Sequence, residues 1–462
     1  MKHDNISLQV ILSIIATGAL SFCGVLAETA MNIAFPTLIT EFQVGTATVQ
    51  WLTTIYLLTL SIVVPLSGYL KHSLTNKKIF MISTGSFLLG IILAAIAPNF
   101  SMLLIGRAVQ GIATGLALPL MFNIILEQVP KSKIGMMMGI GTMIPAIAPA
   151  IGPIFGGVVI TQLGWRYVFI LLIPVIVLIT VIGLMSIKQV SALRKSSFDL
   201  VGLVEIGFVF LGLILGSSNM GEHGFMSPFV MLPLLVSVIS GMFYFKHAKG
   251  KSHPILRLSL LFDAIFSCHV LSYFIIQLVL MGLVFILPNF VQLVNGLNPQ
   301  QSGFVIFPGA ALGALLTPFA GIILDKFGAK KPIIIGSMTL FISLLLFMVF
   351  IPILSPLLIG CLYFMFTLGI GFSFGNIMTN GINSLVEEDQ ADGNAIIMTF
   401  QQVAGAMGTS VIASILAISQ SDKTLPIAES TQIGSRNGLI CLLLLIFVEL
   451  ILIRYIFKRQ SS

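Results

Sequence analysis

Residues Gly141 to Val158 read GTMIPAIAPAIGPIFGGV. The run is apolar throughout and long enough to cross a bilayer, yet it holds Pro145, Pro149 and Pro153 together with Gly141, Gly152, Gly156 and Gly157. In a water-soluble helix each interior proline costs about 3 kcal/mol, because it removes a backbone donor and clashes with the preceding turn. In a membrane that cost is tolerated where neighbouring helices re-satisfy the freed carbonyls and glycines let a second backbone come close. The stretch therefore predicts a bent transmembrane helix built for tight packing.

The remainder of the chain has the composition such a helix needs around it. Of 462 residues, 57% are hydrophobic and 8% charged, and the mean hydropathy is +1.08. No single soluble core hides that much apolar surface, so the expected fold class is an all-α polytopic membrane protein. Apolar runs of roughly 20 residues, separated by charged or Gly/Pro-rich breaks, give about fourteen candidate helices and leave nothing over for a soluble domain. The first run, to about Leu38, reads as a retained helix and not as a removed signal peptide. The net charge of +7 is placed in a way that argues against nucleic acid. With the N-terminus inside, nearly all lysines and arginines fall in inner segments, among them Lys71, Lys77, Lys78, Lys246, Lys249 and Lys330. That positive-inside pattern puts both termini in the cytoplasm. The four cysteines fall within hydrophobic spans without metal or redox spacing, and read as inert thiols. A Walker loop, an HExxH pair and a nucleophile with its base are all missing from the sequence, so neither an enzyme nor a metal site is expected.

Within the first helix, Ser13, Thr17, Ser21, Gly24, Glu28 and Asn32 follow one another at helical spacing and draw a polar stripe down one face. Such a face is expected to line the bundle interior. Glu28 lies well inside the span, where an ionised carboxylate costs several kcal/mol (about 3 by insertion scales) unless paired, solvated or protonated. A group held near that balance suits proton uptake and release, and a structural ion pair is the alternative. Arg107 is the one cation placed within a span away from its inner end, and it requires an anionic partner or backbone carbonyls. Helix 12 offers Asn376, Thr379, Asn380 and Asn383 on one face, and Gln401 and Gln402 follow on helix 13. These amides are expected to line a polar, largely uncharged vestibule. The cluster Glu387, Glu388, Asp389 and Asp392 reads as a solvated inner turn.

Several of these segments resemble one family. Ala148 to Pro153, followed by Gly156 and Gly157, is similar to the fifth-helix motif of drug:proton antiporters in the major facilitator superfamily. Leu26 to Pro36, LAETAMNIAFP, resembles the first-helix motif of their fourteen-helix branch. The carboxylate stands at Glu28, with Ala27 where most of that family carry Asp, as in a lincomycin-resistance-like subgroup. Val49, Gln50, Trp51 and Leu52 also look like that subgroup. Arg107 followed by Gln110, Gly111 and Thr114 resembles the superfamily's fourth-helix pattern. Gly321 to Lys331, GIILDKFGAKK, is similar to its inner loop between paired helices, with Gly321, Asp325, Gly328 and Lys330 in the conserved-looking places and a conformational latch as the implied role. Gly68 to Lys78, GYLKHSLTNKK, is a worn copy of the same loop roughly 250 residues earlier, with His72 in place of the usual Asp.

That offset, together with Pro36 and Pro288 read as the ends of helices 1 and 9, fits two six-helix repeats with two helices inserted between them. The expected division is 1–190 for the first bundle, 191–258 for the inserted pair and 259–462 for the second bundle. The resemblance covers nearly the whole chain. It implies a 6+2+6 major facilitator fold in a bacterial cytoplasmic membrane, exporting structurally varied, lipophilic, often cationic drugs as a monomer. The proton gradient takes the place of any cofactor, with Glu28 and Arg107 in proton coupling and Asn32, Gln50, Gln110, Thr114, Asn376, Asn380 and Gln401 around the substrate. The helix-5 residues Pro149, Gly152, Pro153, Gly156 and Gly157 serve the conformational change. A transporter specific for one antibiotic or metabolite is the competing expectation, because a fold does not dictate its substrate.

Overall fold

The computed structural model describes residues 6–193, 198–224, 226–251, 254–297, 299–421 and 424–460. Side chains at 46, 47, 150, 153, 221–223, 299, 300 and 460 lie outside the described set, which includes the predicted Pro153. Among the described residues thirteen helices are long and apolar enough to cross a membrane. A further pair, Lys131–Pro149 and Ile154–Gln162, is bent by 42° and makes a fourteenth when read as one span. The kink falls in the proline-rich stretch that predicted it.

The chain divides into two compact units. The first holds α1 (Leu8–Ile33), α2 (Phe35–Phe42), α3 (Thr46–Val49), α4 (Trp51–Ser73), α5 (Asn76–Ala95), α6 (Phe100–Gln128), α7 (Ile134–Gln162), α8 (Arg166–Ile170) and α9 (Leu172–Ser186). The second holds most of α10 (Leu200–His223), then α11 (Pro228–Lys249), α12 (Ala264–Leu293), α13 (Pro299–Phe327), α14 (Lys330–Val349), α15 (Pro356–Asn383) and α17 (Ile427–Gln460). Of α16 (Gln390–Gln420), residues Gln390–Met398 group with the first unit and the remainder with the second. Helix starts are fixed by side chains that accept orphan backbone N–H groups: Thr75 from Lys78, Asn99 from Met102, Asp263 from Phe266 and Ser355 from Leu358.

Small residues set the pairing inside each unit. At Gly111 a Cβ would stand 2.7 Å from the Tyr56 carbonyl, and at Gly156 it would stand 2.7 Å from that of Ala30, so α4 meets α6 and α1 meets α7 almost backbone to backbone. The contacting residues give the directions. In the first unit α1 runs parallel to α7 and antiparallel to α6, while α6 runs parallel to α4 and antiparallel to α5. In the second, α12 runs parallel to α16 and antiparallel to α15, while α15 runs parallel to α13 and antiparallel to α14. The closing helices correspond too, since α9 packs on α1 and α5 as α17 packs on α12 and α14. Two prolines behave differently from expectation. Pro36 sits in the first turn of the separate α2, after α1 has stopped at Ile33. Pro288 lies inside α12, which continues to Leu293. Membrane helices absorb interior prolines through their neighbours, so a proline there is a poor stop signal.

Candidate functional site

The stripe on α1 is buried at Ser13, Thr17, Ser21 and Gly24, part-buried at Glu28 and exposed at Asn32. It is covered because α6 presses against it: a Cβ on Gly24 would run into the Thr114 hydroxyl. Tyr56 of α4 donates its hydroxyl to Thr114 Oγ1 at 2.9 Å, and its ring lies 4.4 Å beneath the guanidinium carbon of Arg107. Arg107 is 0% exposed. Its Nε donates to the Leu52 carbonyl at 3.3 Å and its Nη1 to Gln110 Oε1 at 2.7 Å. Gln110 in turn donates to the Gly90 carbonyl at 3.1 Å. Nη2 of Arg107 is buried without a hydrogen-bond partner among the described residues.

Glu28 forms neither an ion pair nor a hydrogen bond there, but Arg107 and Tyr56 are its electrostatic neighbours. A carboxyl outside any ion pair and a guanidinium with an unused donor are thus electrostatic neighbours. Asn32, one turn along, accepts from Thr53 Oγ1 at 2.8 Å, and Gln50 is exposed nearby in sequence to that contact. Gln110 and Thr114, expected around a substrate, are 0% and 4% exposed and act as supports of this cluster.

Three further polar groups brace the first unit. Lys71, 3% exposed, donates to Glu127 Oε2 at 2.7 Å and to Asn76 Oδ1 at 2.9 Å, while Asn76 N–H donates to Gln189 Oε1 at 2.8 Å. His72 Nε2 stands 3.3 Å from Asp392 Oδ1. Asp392 was expected in a solvated turn, but the first turn of α16 brings it onto α4 beside Gly68. At the other end of these helices Glu41 accepts from Trp165 Nε1 and from Arg166 Nη1, each at 2.7 Å, and Arg166 Nη2 donates to the Ala97 carbonyl at 3.0 Å.

The second unit carries amides and aromatic rings where the first carries charge. His269 of α12, 0% exposed, uses Nδ1 on the Ile265 carbonyl at 2.7 Å and accepts the Asn380 amide at Nε2, also at 2.7 Å. Tyr273, one turn on, donates to Gln401 Oε1 at 3.2 Å and stacks on Phe374 at 4.0 Å. Asn376, expected on a vestibule wall, is 3% exposed and donates to the Ala320 and Phe372 carbonyls, tying α15 to α13. Gly152 and Gly156 pack on Thr29 and Ala30, whereas Gly157 faces open space. Gly321 is buried, Asp325 half-buried and Lys330 exposed, and Gly328 ends α13 at a φ of +78°. Cys361 is exposed, unlike buried Cys23.

A sequence model of the Major Facilitator Superfamily matches residues 17–409. The chain belongs to the major facilitator superfamily. Among characterised relatives it is 37% identical over 417 residues to the lincomycin resistance protein LmrB of Bacillus subtilis, covering 90% of this chain and 86% of that one. It is 34% identical to the protein of the same name from Listeria innocua, covering 89% and 87%. A multidrug resistance protein B homolog of Mycobacterium tuberculosis is 28% identical, with 84% and 73% covered. The proton:xylose symporter XylE shares the fold at a TM-score of 0.65 and 14% identity, covering 96% of each chain. As a major facilitator protein the chain is a multi-pass transporter of the cell membrane and not an enzyme.

In this major facilitator chain the sequence singled out Glu28, Arg107 and Gln110, and missed Leu52, Gly90 and Tyr56, which complete the setting of the guanidinium. Tyr56 carries no local signal, because its place under Arg107 follows from the parallel register of α4 and α6. His269 lacks ligand spacing and reads as an isolated histidine, yet its two ring nitrogens are both used.

Proposed function

We propose that this protein is a proton-driven antiporter exporting lipophilic, often cationic drugs by alternating access. In this reading it has fourteen helices arranged 6+2+6, acts as a monomer with both termini in the cytoplasm, and carries its proton on Glu28. The observation that supports it best is the pairing of an unpartnered carboxyl on α1 with a buried arginine whose Nη2 is unused. Substrate entering from the cytoplasm displaces the Glu28 proton, and the carboxylate so formed is stabilised by Arg107. Movement of α1 against α6 then changes that stabilisation, and the proton returns from outside before the reset. The membrane potential assists by about 2.3 kcal/mol per 100 mV for each net charge moved. The relatives named for drug resistance support small-molecule drugs as the substrates.

The test is collapse of the pH gradient in energised inside-out vesicles on adding ethidium, comparing wild type with Glu28→Gln at equal membrane levels. Response in wild type alone is the expected result. Response in both makes Glu28 structural and moves coupling to another carboxyl within a span, Glu205 on α10 or the buried Glu449 on α17. A second reading, one antibiotic class only, is favoured by the relatives above 30% identity that carry a lincomycin name. A resistance profile confined to lincosamides, with no ethidium response, selects it.

A further inference from the structure

The inserted pair α10–α11 lies outside every site described so far. Helix α11 carries an open groove of about 670 Å³ lined by Val238, Ile239, Gly241, Met242, Phe243 and Phe245, with Lys246 its one charged lining residue. Met242 is 67% exposed and Phe243 60%. One turn beyond Phe245, the ammonium of Lys249 sits 4.5 Å from the centroid of that ring. Both cations belong to the last turn of a helix of membrane-spanning length. From Gly224 to Phe262 the chain contains Lys246, Lys249, Lys251 and Arg257 and not one Asp or Glu. Gly241 opens the notch, since a Cβ there would meet only Val209 Cγ2, at 3.8 Å.

We infer that this groove binds one anionic phospholipid, with an acyl chain along Val238, Gly241 and Met242 and the phosphate between Lys246 and Lys249. The volume falls in the range of small-molecule sites. The uniformly positive end of the helix is complementary to an anionic headgroup at the bilayer surface. A second copy of the chain is a poorer occupant, because a two-fold axis along the membrane normal brings the same cationic helix ends together.

Native mass spectrometry of the purified full-length protein, titrated with phosphatidylglycerol or phosphatidylcholine, decides the matter. Wild type is expected to retain a single phosphatidylglycerol and to hold phosphatidylcholine more weakly. Lys246→Gln/Lys249→Gln weakens phosphatidylglycerol retention by about tenfold and leaves phosphatidylcholine unchanged. Lys246→Arg/Lys249→Arg keeps the selectivity, and Gly241→Ala, whose added Cβ lies 3.8 Å from Val209 Cγ2, narrows the notch and weakens both lipids. Equal retention of the two lipids by wild type, unchanged phosphatidylglycerol binding in the double glutamine variant, or dimers in place of lipid adducts overturns the proposal. The lysine variants are surface changes, and the monodispersity of every variant is read from the same spectra.

Discussion

A guanidinium sealed from water has to spend its donors on the protein around it, and Arg107 spends its charge partly on a ring. Tyr56→Phe keeps that ring and loses only the hydroxyl bond to Thr114, a change of about 1 kcal/mol, so most drug resistance in an expressing strain should survive. Tyr56→Leu removes the ring as well, at about 2 kcal/mol for a desolvated contact, and resistance should fall to the vector-only level. Equal phenotypes would show that the ring does not hold Arg107. Glu41 gives a pH test outside the spans. Burial pushes its carboxyl up, but the hydrogen bonds from Trp165 and Arg166 and the Arg166 charge outweigh that and hold it below its ordinary value of 4.5. Its contribution is therefore complete above pH 4.5 and is lost as pH falls through the lowered value. The pair is partly exposed, so the effect is about 0.5 kcal/mol. The melting temperature in detergent should drop for wild type below pH 4.5 by more than it does for Glu41→Gln, which starts lower at pH 7.

Two adjacent glycines on α7 separate packing from flexibility at the level of the helix. A Cβ on Gly156 would stand 2.7 Å from the Ala30 carbonyl oxygen and 2.8 Å from its Cα, both backbone atoms that side-chain rotation cannot move. Gly157 has open space around it. Gly156→Ala should therefore lower the melting temperature and folded yield, by about 1–3 kcal/mol of overpacking, while Gly157→Ala leaves both near wild type. Equal effects would mean that both glycines serve backbone freedom and not the α1–α7 seam. The bend in α7 was legible in the sequence because three prolines and four glycines in one apolar run have few other uses. The passage of α12 through Pro288 was not, since the partners that make it tolerable lie on other helices. Arg107 was legible as a buried cation, whereas Leu52, Gly90 and Tyr56 around it are set by helix registers that no local pattern encodes.

Across the whole molecule, one helix-pairing scheme recurs in both units. The orientation proposed for the chain is open to direct chemistry. With the native cysteines replaced, Lys78→Cys and Lys326→Cys should react with a membrane-impermeant maleimide only in inside-out vesicles, and Ser101→Cys only in intact cells. The reverse pattern would overturn the proposed orientation and, with it, the proposed direction of transport. The contact of His72 with Asp392 was out of reach of the sequence, since it joins residues more than 300 positions apart and neither looks unusual alone. The amide of Asn394 likewise donates to Asn123 Oδ1 at 2.9 Å across 271 residues of chain. That separation has a consequence in time. At about 5–20 residues per second on the ribosome, Asn123 is made some tens of seconds before its partner exists. The first unit therefore spends that interval with Asn123 still lacking the partner that α16 later supplies.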